Sequence, residues 1–328
     1  MQNHRIIFTL CSNNYLAHAK TLGDSIKEHA PECKFIIGLV DDWDDEVDYQ
    51  SLGADEVLKF DQLGVEAFPE MLARYNIIEF NTAVKPYYIE YFFNKHGEDT
   101  KVYYIDPDIK LYHSLDSLHE HLDQYPIILT PNLTVTPQGV VTGELASLRH
   151  GMFNLGFIGL KHSNQSKNFV HWWRDRLRSH CKIDKGRGIF VDQKWVDLAP
   201  LFFKGIYTLK HQGCNMAWWN FSERDLKKDQ KGYYVNNADQ RLIFFHFSGF
   251  DPNGNQTTVR MNNHSFKLED YGELKGIFKD YSAELKANDY DAISKLVPKL
   301  AFYKEPNGMT IKIKRRLGWI KKGLLGKV

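Results

Sequence analysis

The chain opens with an unbroken apolar run inside residues 5–10, and then, over 15–29, apolar positions recur at Leu16, Ala19, Leu22 and Ile26. The first pattern predicts a buried strand and the second, at helical spacing, an amphipathic helix. Residues 35–40 are a second apolar strand. Together they predict a βαβ unit with parallel strands and a right-handed crossover. That strand stops at Asp41 and Asp42, on the carboxyl edge where open α/β sheets collect ligands.

Further along, residues 81–93 predict a helix carrying Lys85, with Pro86 tolerated only near its first turn. Residues 102–105 form a short aromatic and β-branched strand that must end at Asp106-Pro107-Asp108, because Pro cannot donate to a ladder and Asp favours turns. Strands are expected over 127–130 and 153–160, the latter containing Asn154-Leu155-Gly156. Helices are expected over 169–180, with Trp172 and Trp173, and over 190–203. A last strand, 242–247, runs into His246-Phe247-Ser248-Gly249. A polar stretch, 253–263, follows Pro252 and precedes a mainly helical remainder. The expected division is an α/β catalytic domain over 1–252 and a C-terminal extension over 253–328.

Composition keeps this picture and narrows the partners. With 43% hydrophobic, 14% aromatic and 25% charged residues in 328, the chain belongs among globular proteins with a sizeable core. A net charge of +1 gives no reason to expect nucleic-acid binding. The charge is uneven, however. Residues 306–328 carry seven Lys or Arg (Lys312, Lys314, Arg315, Arg316, Lys321, Lys322, Lys327) and no acid, so subtracting them leaves −6 on the remainder. Ile313, Leu317, Ile320 and Leu324 repeat at helical spacing among them, with Trp319 suited to an interface. The tail is therefore expected to meet an anionic membrane surface, with packing on its own domain as the plainer alternative. Cys11, Cys33, Cys181 and Cys214 form no C-x-x-C pair, which makes reduced thiols the expectation. No signal-peptide core and no run near ~20 apolar residues is present, so a cytoplasmic protein, peripheral on the inner face of the membrane, is expected.

Three places could carry chemistry. Asp106 and Asp108, one residue apart after a buried strand, can both reach one hard divalent cation such as Mg²⁺ or Mn²⁺, which completes its shell with water and phosphate oxygens. The plainer alternative is a solvated turn. His246 is either a core histidine among aromatics or a third ligand. Asp192 and Gln193 open a helix, where Asp192 would serve as an N-cap, or else face a substrate.

The order of these features, from the aromatic helix start through Lys85, the acidic turn, Asn154-Leu155-Gly156, Asp192-Gln193 and His246-Phe-Ser-Gly, resembles the GT-A fold glycosyltransferases. Within them it is most similar to the retaining, glycogenin-like and lipopolysaccharide galactosyltransferase-like group, over residues 5–252. The resemblance implies a Rossmann-like, mixed but mainly parallel central sheet flanked by helices. It also implies that Asp106, Asp108 and His246 ligate Mn²⁺ (or Mg²⁺), and that Thr9, Leu10 and Tyr15 line the uridine site, with Asp41 near the nucleotide. Lys85 would stand where the group has a basic residue against the diphosphate and donor sugar. Asn154, Asp192 and Gln193 would lie beside that sugar. The late motif continues Phe250-Asp251-Pro252 and lacks the group's Lys-Pro-Trp, and Lys85 replaces a common Arg.

The expected reaction is transfer of a hexose from a UDP-sugar to a hydroxyl of a glycan or lipid-linked glycan acceptor of the bacterial envelope (lipopolysaccharide, O-antigen or capsule), with retention. Inversion and a non-catalytic nucleotide-sugar or glycan binder remain alternatives. A sugar-nucleotide nucleotidyltransferase ranks lower, since it needs a Gly-rich loop after the first strand and Thr9 to Asn14 contain no glycine.

Overall fold

The computed structural model describes residues 4–136, 142–254, 258–261, 264–267 and 272–302. The first strand, β1 (Arg5–Cys11), lies between β2 (Lys34–Leu39) and β4 (Lys101–Ile105), parallel to both, and β2 is bordered by a short strand β3 (Glu56–Lys59). Beyond β4 come β7 (Phe153–Lys161), β6 (Ile127–Pro131) and the edge strand Ile206–Thr208. In this seven-stranded sheet β7 alone runs against its neighbours, pairing antiparallel with both β4 and β6. The sheet is thus mixed and mainly parallel, as expected.

Its central strands are buried on both faces, which is why they read as continuous apolar runs. Along β1, Ile6, Phe8 and Leu10 enter one core with Tyr88 and Phe92 of the helix Lys85–His96 and Trp173 of the helix Asn164–His180. Ile7 and Cys11 face the other, with Leu22 and Ile26 of the helix Leu16–His29 and Leu118 and Leu122 of the helix Asp116–Gln124. Helices therefore cover both faces.

The reversal of β7 positions the site. Parallel strands β1, β2, β4 and β6 all end at one edge, and an antiparallel β7 must begin there. Asn154 and Gly156 consequently sit beside Asp106, whose amide donates to the Gly156 carbonyl at 2.8 Å.

Several expectations are corrected. The helix expected over 81–93 is two helices, Ile77–Ala83 and Lys85–His96, separated at Val84. Pro86 dictates this, since it lacks an N–H and is accommodated only in a first turn. The helix expected over 190–203 is only two short turns, Gln193–Val196 and Ala199–Phe202, with Pro200 starting the second. The strand expected over 242–247 shortens to Phe244–His246 and lies outside the main sheet, paired antiparallel with β5 (Ile109–Leu111).

Of the segment 253–328, the described part contains the antiparallel strand pair Thr258–Met261 and His264–Lys267, then the helices Leu274–Ala287 and Tyr290–Ile293. Ile277, Phe278 and Tyr281 of the longer helix pack on Phe245 and Phe247, either side of His246, and the rings of Phe247 and Tyr281 stack at 3.7 Å. The basic segment 306–328 lies outside the described residues.

Candidate metal centre

Register explains how His246 reaches the acidic turn. The turn closes through Ile109 N–H to the Asp106 carbonyl, and β5 follows at once. Pairing sets His246 opposite Ile109, and the next amide, Phe247 N–H, donates to the Asp108 carbonyl at 2.8 Å. His246 Nε2 then lies 3.1 Å from Asp108 Oδ1 and 3.7 Å from Asp106 Oδ2. One ligand atom from each of the three residues falls within 4.8 Å of the others.

Charges in this corner perturb one another. Burial disfavours the imidazolium of His246, yet the carboxylates of Asp108 and Asp106 outweigh it and raise His246 above its ordinary range. Burial lifts Asp106 above the usual carboxylate range against the opposing pull of Lys85 and His246. Burial acts on Asp108 in the same sense, but direct contact with His246 holds it below that range. A divalent cation would replace the proton that these groups compete for.

The His246 ring has little freedom. Its Nδ1 meets Asn215 Oδ1 at 3.2 Å, and Trp219 packs edge-on at 5.2 Å. Beneath it lies Gly156, where a Cβ would come within 2.5 Å of His246 Cε1 and 2.8 Å of Nδ1. The glycine of Asn154-Leu155-Gly156 is therefore required by the histidine.

On the other side of the turn Lys85 is buried, with Nζ 2.6 Å from Asp192 Oδ2, 2.8 Å from the Leu155 carbonyl oxygen and 4.0 Å from the centre of the Tyr104 ring. The Tyr104 hydroxyl in turn donates to Asp106. Asp192 occupies the N-cap position of its short helix but its side chain does not cap; it pairs with Lys85 instead. Burial raises its carboxyl, opposed by Lys85. Gln193 is clamped, accepting from Leu155 N–H at 3.2 Å and donating to the His150 carbonyl at 3.1 Å. Asn154 Oδ1 accepts from Gly156 N–H at 3.0 Å and from Asn215 Nδ2 at 3.1 Å. Lys85, Gln193 and Asn154 are thus tied to Leu155 and Gly156 of β7, with Asp192 held by Lys85.

The remaining candidates lie along the ends of β1 and β2. Thr9 and Leu10 are buried in the strand, and Thr9 Oγ1 has no hydrogen-bond partner among the described residues. Asp41 is buried and accepts from the amides of Asn13, Asp42 and Leu300. Tyr15 is the exposed member, 42% accessible, stacked on His18 at 4.7 Å. Although the ring is partly accessible, desolvation of the phenol and then the charge of Asp108 push Tyr15 up to about 12.

Sequence reasoning missed His18, Asn215 and Trp219. His18 is buried, which pushes it down to about 4, and it too feels Asp108. Asn215 follows no period, though Asn is one of the few side-chain-bearing residues that tolerate the left-handed backbone it adopts at φ 58°. A second cluster, Glu32, Cys33 and His119, brings its ligand atoms equally close. Hydrogen bonds account for it: the Tyr103 hydroxyl meets His119 Nδ1 at 2.6 Å and Glu32 meets Nε2 at 2.9 Å.

No family model matches the chain. Two uncharacterized proteins of Bacillus subtilis (strain 168) are similar to it in sequence. YfnF is 29% identical over 175 residues, 52% of this chain and 57% of YfnF. YfnD is 33% identical over 144 residues, 42% of this chain and 44% of YfnD. The chain spans about half the length of these curated relatives. Among solved structures, the glycosyltransferase GlyE of Streptococcus pneumoniae TIGR4 superposes with a TM-score of 0.48 at 16% identity, covering 90% of this chain and 66% of GlyE. The galactosyltransferase LgtC, in complex with donor and acceptor sugar analogs, superposes with a TM-score of 0.45 at 16% identity, covering 85% and 99%.

Proposed function

We propose that the chain is a metal-dependent glycosyltransferase of the GT-A type, which transfers a hexose from a UDP-sugar to a hydroxyl of a bacterial envelope glycan with retention. The observation that carries this reading is the meeting of Asp106, Asp108 and His246 within 4.8 Å at the carboxyl edge of a mixed α/β sheet. Two carboxylates and one imidazole suit Mn²⁺ or Mg²⁺, and such a set leaves the other positions to water and phosphate oxygens. When bound, the cation neutralises charge on the departing diphosphate.

The chain's own residues orient the donor and stabilise charge. Thr9, Leu10, Tyr15 and Asp41 form the nucleotide side. Lys85, buried against the ring of Tyr104, whose hydroxyl donates to Asp106, adds positive potential where the diphosphate oxygen leaves. Asn154 and Asp192 hold sugar hydroxyls. Gln193, fixed at both ends of its amide, lies under the anomeric carbon. An amide is a poor nucleophile, so the acceptor attacks on the face the diphosphate leaves, through an oxocarbenium-like state.

A panel of nucleotide sugars, with Mn²⁺ and with chelator, tests this by thermal shift and UDP release. A UDP-sugar should stabilise the protein and be turned over only with metal; no metal-dependent response to any donor defeats the reading. Anomeric NMR of the product separates retention from inversion.

The acceptor is a glycan or lipid-linked glycan, and the basic segment 306–328 brings the enzyme to an anionic membrane on its cytoplasmic side. Each Lys or Arg near such lipid contributes on the order of 1 kcal/mol. Salt-sensitive sedimentation with anionic vesicles should be lost on truncation near Asn307, and equal binding by both forms removes the anchor.

A further inference from the structure

The hydrogen bonds leading to His246 have a direction that can be read from one end. A backbone N–H can only donate. Gly156 N–H donates to Asn154 Oδ1, which fixes that atom as oxygen. Asn215 Nδ2 donates to the same Oδ1 at 3.1 Å and to Thr130 Oγ1 at 2.9 Å, and the Thr130 proton is itself given to the Asn154 carbonyl. Both amide hydrogens of Asn215 are thereby used, and its amide cannot be flipped without setting two acceptors against each other. Its Oδ1 is left facing His246 Nδ1 at 3.2 Å, as an acceptor that only Nδ1–H satisfies.

We propose that Asn215 is a positioning residue for the cation: it keeps the His246 proton on Nδ1 and so presents Nε2, the atom facing Asp106 and Asp108, as the ligating lone pair. This rests on the reading of those three residues as a cation site. The two ring nitrogens of histidine are distinct, and which one ligates is set by the hydrogen bond the other makes. The backbone of Asn215 agrees with such a role. Its φ of 58° lies in the left-handed region, which Asn tolerates better than other side-chain-bearing residues, and the residue is 1% exposed. Its carbonyl is tied to Asn220 Nδ2 at 3.0 Å, so the amide is held from behind as well. Gly156 below the ring and Trp219 at its edge hold the imidazole from two sides.

Two substitutions separate positioning from mere packing. Asn215→Gly suits the left-handed backbone and removes the amide; Asn215→Asp keeps an acceptor opposite Nδ1 but gives up the donor to Asn154 Oδ1 and Thr130 Oγ1, a loss that the melt in EDTA reports separately. Mn²⁺ affinity is read from the EPR signal of free ion over the full chain, and the melting temperature in EDTA reports the fold. Asn215→Gly should melt in EDTA close to the unsubstituted protein and bind Mn²⁺ about 10–100-fold more weakly, while Asn215→Asp, even with a lower melt, should bind it more tightly than Asn215→Gly. Full affinity in Asn215→Gly, or equal losses in both variants, overturns the assignment. If the unsubstituted protein binds no Mn²⁺ and Asp108→Ala behaves identically, the cation site itself falls, and the role of Asn215 with it.

Discussion

Lys85 Nζ lies 2.6 Å from Asp192 Oδ2, joining residues 107 positions apart inside a buried region of the protein. Each group loses its hydration there, and the pair with its hydrogen bonds replaces it. Removing one partner strands the other. Lys85→Met should therefore lower unfolding free energy by about 3–5 kcal/mol, whereas Lys85→Met with Asp192→Leu should regain much of it. Urea melts of the two single variants and the double form the cycle. Additive losses would mean that the ion pair does not hold this part of the core.

Gly156→Ala is a test of shape. The added Cβ would fall 2.5 Å from His246 Cε1 and 2.9 Å from Asn154 Oδ1, closer than any real contact. The ring must move, since the β7 backbone is fixed by pairing with β4. Overpacking of this kind costs about 1–3 kcal/mol, but the larger effect should be on metal: Mn²⁺ affinity should drop more than the melting temperature does. Calorimetric titration with Mn²⁺ beside a thermal melt measures both. Unchanged affinity would show that His246 has room to shift and is not held against the turn.

How much of this was legible beforehand depended on whether the signal was local. β1, β2 and β4 are buried on both faces, so their apolar runs announce them, and Pro107 announces where β4 stops. Asp106 and Asp108 were readable for the same reason. The Glu56–Lys59 strand was not, since it has four residues, polar at both ends, and exists only because β2 offers an edge. Residues 190–203 misled because Trp195, Val196, Leu198 and Phe202 recur at helical spacing; Pro200 interrupts the ladder, and Leu201 and Phe202 remain exposed. Asn215 lay beyond reach because its partners stand 85 and 61 positions away, on strands whose adjacency depends on the reversal of β7.

Glu223 anchors the segment that follows β6. Its carboxylate accepts from the amides of Thr134 and Val135 and from the Thr134 hydroxyl, at 2.8–3.0 Å, and pairs with buried Arg224 at 3.2 Å. Glu223→Gln would set an amide nitrogen against amide donors and leave Arg224 without its counter-charge. The expected result is local: Thr134 and Val135 amides should exchange with deuterium much faster, while β1 and β4 stay protected. Exchange in which Thr134 and Val135 remain as slow as in the parent would remove Glu223 as the anchor.

The last prediction concerns pH, and its sign follows from His246. A raised folded value means that the metal-free protein gains stability from the protonated His246 beside Asp108 below the usual histidine range, about 6.5, and loses it as pH rises through the folded value. The depressed Asp108 acts at the acid end, contributing above the usual carboxylate range and failing only as pH falls through its lowered value. Near neutrality His246 contributes with this sign, while His18, His119 and His211, which burial lowers, contribute with the opposite one, so the His246 part is the difference between the parent and His246→Gln. Metal binding runs the other way, since the Nε2 proton must leave before a cation is ligated. From about pH 6 to 8, Mn²⁺ affinity should climb while the melting temperature in EDTA loses the His246 contribution. His246→Gln should flatten the Mn²⁺ curve and remove only the His246 part from the melting curve, because an amide does not titrate there. An Mn²⁺ affinity independent of pH across that window would mean that His246 Nε2 is not a ligand.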